Sequence, residues 1–380
     1  MQLAYQYGLY PSRAQEQKLL DTLDRCRWLY NRLLEELNRA KTEGRKIGKL
    51  ETQAMIVKLK REKPELKSVY SKVLQMVSYQ LWSNIRALSE LKKKGRKVGR
   101  LRFKGQGWYK TLNYNQSGFR LDGKKLVLSK VGEIPIKLHC EVRGKIKGII
   151  VKHERSGKWF AIFQVEDEPK PLSPAGKTVG MDMGIKHFLT DTDGRQIQNP
   201  KFYECSLEII KIRHRQLSKK EKGSKNRERA RIRLARAYEG LVDQRNDFLH
   251  KLSHFYVQNY DVMAVEGLNI AGMAKNRNLA QRILDASWGK FLCMLFYKAE
   301  RAGRQFVEVD PRGTSQEYKR GELDRDYNAA LNVLERGLVG LGWPELTPVE
   351  IELLLRVPAS AVIAGQVPSL KQEAPCESWG

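Results

Sequence analysis

The chain has 380 residues, 41% of them hydrophobic, enough for two or three domains with proper cores. Its 70 Lys and Arg outnumber 43 Asp and Glu, giving a formal charge of +27 and a pI near 9.8, far beyond the net charge of about 2 to 8 that solubility asks for, so a polyanionic partner is expected and nucleic acid comes first. Five scattered cysteines with no CxxC pair argue against a disulfide framework and a zinc site, and the absence of an apolar run of roughly 18 residues or of a signal-like N-terminus predicts a soluble, cytoplasmic protein.

Leu3, Tyr5, Tyr7 and Leu9 alternate with more polar or smaller residues, the period of a half-buried strand that Pro11 ends. Ser12 followed by Gln15 has the spacing of a capping box. Leu19, Leu23, Cys26, Tyr30, Leu33 and Leu37 then recur at helical spacing, predicting a helix of about seven turns. A second helical zone starts near Glu51, breaks near Pro64 and resumes through Val73, Val77, Leu81, Ile85 and Leu88. The next run contains Lys92, Lys93, Lys94, Arg96, Lys97, Arg100, Arg102, Phe103, Lys104, Trp108, Tyr109 and Lys110 and no acid at all. Cations interleaved with glycine and aromatics make a surface that grips phosphates and stacks on bases; a merely solvated charged face is the alternative. Strands dominate from 111 to 166, with turn signals at Asp122-Gly123, Arg143-Gly144 and Ser156-Gly157, and predict a small β-barrel that also takes in residues 3 to 9. The helical lobe is then an insertion into that barrel.

Pro169, Pro171 and Pro174 form a linker. Beyond it, Val179, Met181 and Met183 give a strand its buried face while Gly180, Asp182 and Gly184 fall on the other. An acid on a mostly buried strand needs a cation or a set of donors, and the flanking glycines leave room for a close neighbour. A hairpin to residues 187–190 and a turn at Asp193-Gly194 follow, then a helical stretch from 204 to 258 broken at Gly223-Ser224. This is read as a basic helical hairpin offering Arg213, Arg215, Lys219, Lys220, Lys225, Arg227 and Arg229 to a nucleic-acid backbone. Ile232, Ala235, Tyr238 and Leu241 are expected to pack the inner side of its second arm. Residues 261–266 read as a strand emerging at Glu266. Trp288, Phe291, Leu292, Leu295 and Ala299 mark a helix, 306–310 a strand, and 324–330 the acidic start of a last helix. From about Pro358 the composition is that of a disordered tail.

This order lets Asp182, Glu266 and Asp326 meet at one end of a sheet. Three clustered carboxylates repel one another unless cations compensate, and magnesium accepts hard oxygen ligands. Two such ions about 4 Å apart clamp the attacking water and the leaving oxygen of a phosphodiester, so metal-dependent phosphodiester hydrolysis is expected. Each acid also has an ordinary role open to it: Asp182 in a turn, Glu266 as a cap, and Asp324 or Asp326 at the last helix start.

Several motifs carry a family resemblance: Gly180-Met181-Asp182-Met183-Gly184-Ile185-Lys186, Val265-Glu266-Gly267-Leu268-Asn269, Asp310-Pro311 with Thr314-Ser315-Gln316, and Asp324-Arg325-Asp326-Tyr327-Asn328-Ala329-Ala330-Leu331-Asn332. With Leu9-Tyr10-Pro11, Cys26-Arg27-Trp28 and Arg102-Phe103-Lys104, the chain resembles the TnpB family of insertion-sequence RNA-guided endonucleases over nearly its whole length. The resemblance implies an α+β multidomain chain. A wedge β-barrel spans 1–10 and 96–170, with a helical recognition lobe at 11–95, and a linker at 171–176 follows. An RNase H-like, RuvC-type nuclease domain at 177–336 carries the hairpin 204–258, and the tail 337–380 is largely disordered. It further implies double-stranded DNA cleavage beside a short motif read by the protein, a guide RNA from the element end, and Mg2+ or Mn2+ on Asp182, Glu266 and Asp326. The expected form is a monomeric ribonucleoprotein at a prokaryotic nucleoid. Family members usually carry a zinc ribbon with two CxxC pairs before the last motif. Here only residues 317–323 fill that gap, without cysteine, and no zinc is expected. A guided DNA-binding protein with impaired cutting is the alternative reading. A transposase joining DNA ends lacks support, since no tyrosine or serine nucleophile motif is found.

Overall fold

Strand β1 (Gln2–Leu9) buries Tyr5, Tyr7 and Leu9 on one face, as its alternation predicts. The computed structural model describes residues 1–314 and 324–342, and the chain divides after Asp167 into two units, each with its own sheet. In the first unit, α1 (Arg13–Thr42) opens with the capping box: Ser12 Oγ accepts from the Gln15 amide at 3.3 Å and Gln15 Oε1 accepts from the Ser12 amide at 2.9 Å. At 30 residues it is about one turn longer than expected. Helix α2 (Lys49–Glu62) stops before Pro64, which begins a short 3-10 turn, and α3 (Ser71–Lys93) completes the helical layer.

Six strands follow: β2 (Thr111–Asn115), β3 (Phe119–Asp122), β4 (Lys125–Leu128), β5 (Gly132–Lys137), β6 (Lys145–His153) and β7 (Trp159–Glu166). The order is β2-β6-β7-β1-β5-β4-β3 and every pairing is antiparallel, so the first strand in sequence sits at the centre of a barrel-type sheet. Between β1 and β7 the pairing runs from Gln2↔Glu166 to Leu9↔Trp159, whereas β5 is met only by Gly8 and Leu9. One continuous core joins this sheet to α1, α2 and α3 through Leu29, Tyr30, Leu74, Leu112, Phe163 and their neighbours.

The second unit is built on β8 (Thr178–Asp182), β9 (His187–Asp191), β10 (Gln196–Gln198), β11 (Val262–Glu266) and β12 (Gln305–Val309), in the order β10-β9-β8-β11-β12. The first three strands are antiparallel, while β8, β11 and β12 run parallel. All five residues of β11 are buried because it is covered on both faces, as central parallel strands are. Met263 and Val265 pack with Phe291 and Leu295 of α8 (Trp288–Ala302) and Tyr256 of α5 (Lys225–Asn259). Val262 and Ala264 face Val333, Leu334 and Leu338 of α9 (Arg325–Gly340). Helix α4 (Phe202–Ser218) pairs with α5 as the expected hairpin, closed over residues 219–224.

The packed stripe of α5 differs from the expected one. Leu241 packs against Ile210 of α4 as expected, but Leu234 and Ala237 join it, while Tyr238 is 38% exposed and Ile232 and Ala235 are half-buried. In so Arg-rich a segment two apolar stripes compete, and the one carrying Leu234 and Leu241 is buried against α4. The short β10, α6 (Ile270–Met273) and α7 (Ala280–Ala286) give no periodic signal and were not expected. Cys26, Cys140, Cys205 and Cys293 are all free thiols, and among the described residues no helix is long and apolar enough to cross a membrane. The tail from about Pro358 lies outside the described residues.

A buried cation in α8 gives the fold a pH signature. Lys298 is 1% exposed and donates to the His250 carbonyl at 2.9 Å and to Ser253 Oγ at 3.1 Å, and burial pushes its ammonium down to about 7. Because the unfolded chain binds this proton up to about pH 10 and the folded one releases it near 7, Lys298 costs stability at neutral pH, and that cost fades as pH rises. Lys298→Met is expected to raise the melting temperature at pH 7 and to flatten its rise between pH 7 and 10, as read by thermal denaturation of both proteins.

Candidate active site

Parallel pairing of β8 with β11, Met181 opposite Val265, brings the ends of both strands to one edge of the sheet. Asp182 is the last residue of β8 and Glu266 the last of β11. Helix α9 starts beside them because it lies close against β8: a Cβ on Gly180 would collide with the Ala330 carbonyl oxygen and with Leu334, and one on Gly337 would stand 2.6 Å from Ala264 Cβ. At the start of α9 the competition between the two acids resolves. Asp324 is the N-cap, its Oδ1 accepting from the amides of Asp326 at 3.0 Å and Tyr327 at 3.2 Å. The Asp326 carboxylate is left clear of the cap, with Oδ2 4.0 Å from His187 Nδ1, a buried ring nitrogen without a hydrogen-bond partner at the start of β9.

Burial pushes the Asp182 carboxyl up to about 7, and the charges of Glu266 and Asp326 push the same way, with Arg325 opposing. The three acids thus share one electrostatic neighbourhood. Glu266, 6% exposed, is also raised by burial, against the pull of a hydrogen bond from Thr314 Oγ1 at 2.5 Å and the positive charge of Arg336. Asn332 of α9 donates to the Thr314 carbonyl at 2.8 Å, and Arg336 to that of Asp310 at 2.6 Å. These supporting side chains were not among the expected site residues; Thr314 and Asn332 lay in quoted motifs, and Arg336 did not. Among the described residues no three His, Cys, Asp or Glu side chains stand close enough to cage a metal ion by themselves. The hard-oxygen donors suit magnesium or manganese bound through one or two carboxylates, with waters and substrate phosphate completing the shell.

The expected nucleic-acid residues divide by exposure. Lys92 and Lys93 lie in the last turn of α3 and Lys94 is its C-cap; Arg96, Lys97, Arg100 and Arg102 are exposed on the irregular chain that follows. Trp108 is 64% exposed, with the Arg155 guanidinium 5.4 Å from its ring centre. Lys104 is half-buried, its backbone held by Asn31 and its ammonium 5.5 Å from the Tyr30 ring centre. Tyr109 corrects the stacking expectation: its ring belongs to the core and its hydroxyl donates to Gln80 Oε1 at 3.1 Å, because the chain turns inward there to start β2. In the hairpin Arg215, Lys219, Lys220, Lys225 and Arg229 are exposed, and Arg213 is half-buried beside Gln216. Arg227 is a second correction. Its Nη1 donates to the carbonyls of Leu217 at 3.1 Å and Lys220 at 2.7 Å, satisfying the open end of α4 rather than facing a partner.

Comparison with known proteins adds an independent line. Residues 162–277 match the family described as "Probable transposase", residues 1–46 one described as "Helix-turn-helix domain", and residues 288–322 one described as "Cas12f1-like, TNB domain". Residues 1–46 nonetheless hold strand β1 and the single helix α1, with no second helix and so no helix-turn-helix. Several bacterial relatives carry names that begin "Putative RNA-guided DNA endonuclease". The one from Streptomyces pristinaespiralis is 31% identical over 364 residues, covering 88% of this chain and 89% of its own. The one from Escherichia coli K12, InsQ, is 28% identical over 334 residues, covering 82% and 81%. A solved Cas12f1–sgRNA–target DNA complex is 14% identical with a TM-score of 0.49, covering 83% of this chain and 82% of that one.

Proposed function

The chain belongs to the TnpB family of RNA-guided DNA endonucleases, and from that premise we propose that it hydrolyses guide-selected DNA at a divalent-ion site on Asp182, Glu266 and Asp326. The observation that carries the site is the placement of the acids: Asp182 and Glu266 end adjacent parallel strands and Asp326 lies in the first turn of the helix packed against β8. Arg325 and Arg336 offset the clustered negative charge only in part, since the Asp182 and Glu266 carboxyls stay raised, and a cation would complete the compensation. Magnesium or manganese, when bound, would supply a deprotonated water and neutralise the leaving oxygen. The protein's part is to fix the donors: β8 and β11 present Asp182 and Glu266 side by side, and α9 delivers Asp326 while Asp324 caps the helix. Three antiparallel strands extended by two parallel ones support an RNase H-like reading of residues 177–336, with α4 and α5 as its hairpin. Under the same proposal residues 1–10 and 96–170 form the wedge barrel around the helical lobe 11–95. Guide RNA and target duplex lie along Lys92 to Lys104, Trp108 and the exposed cations of the hairpin. The working species is a monomeric ribonucleoprotein in the prokaryotic cytoplasm, and no zinc is part of the reading.

Co-expression with the element-end RNA and sequencing of cleaved ends from a guide-matched plasmid library test this directly. Guide-matched breaks that need Mg2+ or Mn2+ and vanish with chelator are expected. Guide-dependent binding without breaks would leave a programmable DNA-binding protein. Trp108→Ala is expected to weaken nucleic-acid binding by about 1 to 3 kcal/mol with little change in melting, as for loss of one stacking platform. Tyr109→Ala should instead cost about 3 to 5 kcal/mol of folding stability, since its ring is core. Electrophoretic mobility shift and thermal denaturation of both variants separate the two roles.

A further inference from the structure

We propose that Thr314 is a positioning residue that holds Glu266 in its metal-binding orientation, and that Asn332 holds Thr314 in turn. The inference rests on the reading of Glu266 as a metal ligand. Thr314 is 1% exposed, Glu266 6% and Asn332 2%, so the chain of contacts is shielded from water along its length. The Thr314 hydroxyl has one proton to give and two acceptors within reach, Glu266 Oε1 at 2.5 Å and the Pro311 carbonyl at 3.1 Å. The ionised acceptor is the nearer and takes it, since hydrogen bonds to charge are shorter and stronger. This bond engages one carboxylate oxygen and fixes the rotation of a side chain with three free torsions.

Thr314 lies outside any regular element, one residue after Gly313, whose φ is +82°. A hydroxyl on such a segment orients nothing unless its own backbone is fixed. The Asn332 amide supplies that fixation at 2.8 Å from the Thr314 carbonyl, and Asn332 sits on α9, the helix that brings Asp326. Glu266 on β11 and Asp326 on α9 are thereby tied into one hydrogen-bonded frame, so the spacing of two carboxylates from different elements is set together. Ligating carboxylates held this way typically lose about 10- to 100-fold in metal affinity or activity when the supporting partner is removed.

The test compares Thr314→Val, Thr314→Ser and Glu266→Gln as full-length ribonucleoproteins. Cleavage rate against Mg2+ concentration, Mn2+ binding from loss of the free-ion EPR signal, guide-dependent target binding and melting temperature are read together. For Thr314→Val a fall of about 10- to 100-fold in Mn2+ affinity and in cleavage at limiting Mg2+ is expected, with target binding unchanged and Thr314→Ser within about threefold of wild type, as its hydroxyl is retained. Thr314→Val binding Mn2+ and cutting like wild type overturns the proposal. So does Thr314→Ser failing as badly as Thr314→Val, or a loss of target binding equal to the loss of cutting, since either means that Thr314 acts through packing. Glu266→Gln separates the underlying reading: if it still binds Mn2+ and cuts, Glu266 is no ligand and the premise itself is wrong.

Discussion

Asp182→Asn is expected to slow cutting by about three orders of magnitude or more, the several kcal/mol that ion-assisted charge stabilisation supplies, while guide-dependent target binding stays within a factor of a few. The same change should stabilise the metal-free protein at pH 8. In the unfolded chain this carboxyl loses its proton near 4, whereas in the folded protein it keeps it up to about 7. Between those values the unfolded state binds fewer protons than the folded one, so stability falls as pH rises and the full loss is present above about pH 7. A neutral amide removes the repulsion from Glu266 and Asp326. Melting the metal-free wild type and variant at pH 5 and pH 8 should therefore show a gain at pH 8 that shrinks towards pH 5. Mg2+ should raise the wild-type melting temperature more at pH 8 than at pH 6, because at the lower pH a proton competes for the site. Robust cutting by Asp182→Asn, or an unchanged stability difference across this range, would remove Asp182 from the centre of the site.

Gly180→Ala is expected to injure both fold and activity although it adds a single methyl group. The obstacle is the Ala330 carbonyl and the Leu334 backbone of α9, neither of which can rotate away as a flexible side chain could. Overpacking costs about 1 to 3 kcal/mol where side chains can adjust, and a backbone obstacle puts this site at or above the upper end. The route of relief is a shift of α9 outward, which carries Asp326 with it, and a displacement of about 1 Å in reacting groups can cost about 100-fold in rate. Gly240→Ala serves as the control, since nothing lies within 4 Å of a Cβ there and the residue is helical. It should stabilise by about 0.4 to 1 kcal/mol and cut normally. Thermal melting and cleavage rates of the two alanine variants would show the contrast, and equal behaviour would mean that α9 is not held by close approach to β8.

The strand carrying Asp182 was legible in sequence because a carboxylate flanked by two glycines breaks an otherwise buried alternation. Glu266 was legible as the polar end of an apolar run. What local sequence could not decide was which of Asp324 and Asp326 caps α9, since both residue types suit an N-cap and only the helix start fixes the answer. Tyr109 was misread beside Trp108 because adjacent aromatics in a cationic run look alike until the chain direction is known. Two residues on, β2 begins, and Tyr109 faces the core while Trp108 faces solvent. Arg227 was counted with its neighbours for the same reason, though its guanidinium is spent on the carbonyls that end α4. The inner stripe of α5 was legible only in part: Leu241 packs against α4 as expected, whereas Leu234 and Ala237 face α4 in place of Ile232, Ala235 and Tyr238. Thr314 and Asn332 lay beyond any reading by period, because their value comes from a contact between a loop and a helix whose registers are set by the whole sheet.

Helix α9 is the last element of the chain's described residues, and it lies directly against β8, the first strand of its sheet. Ribosomal synthesis delivers β8 and β11 long before α9, and domains fold as their segments emerge. Under the proposed site, a nascent chain at that stage holds two of the three ligands, Asp182 and Glu266, and gains Asp326 only with α9. The order of elements then acts as a timer, since the proposed metal site gains its third carboxylate from the last described element.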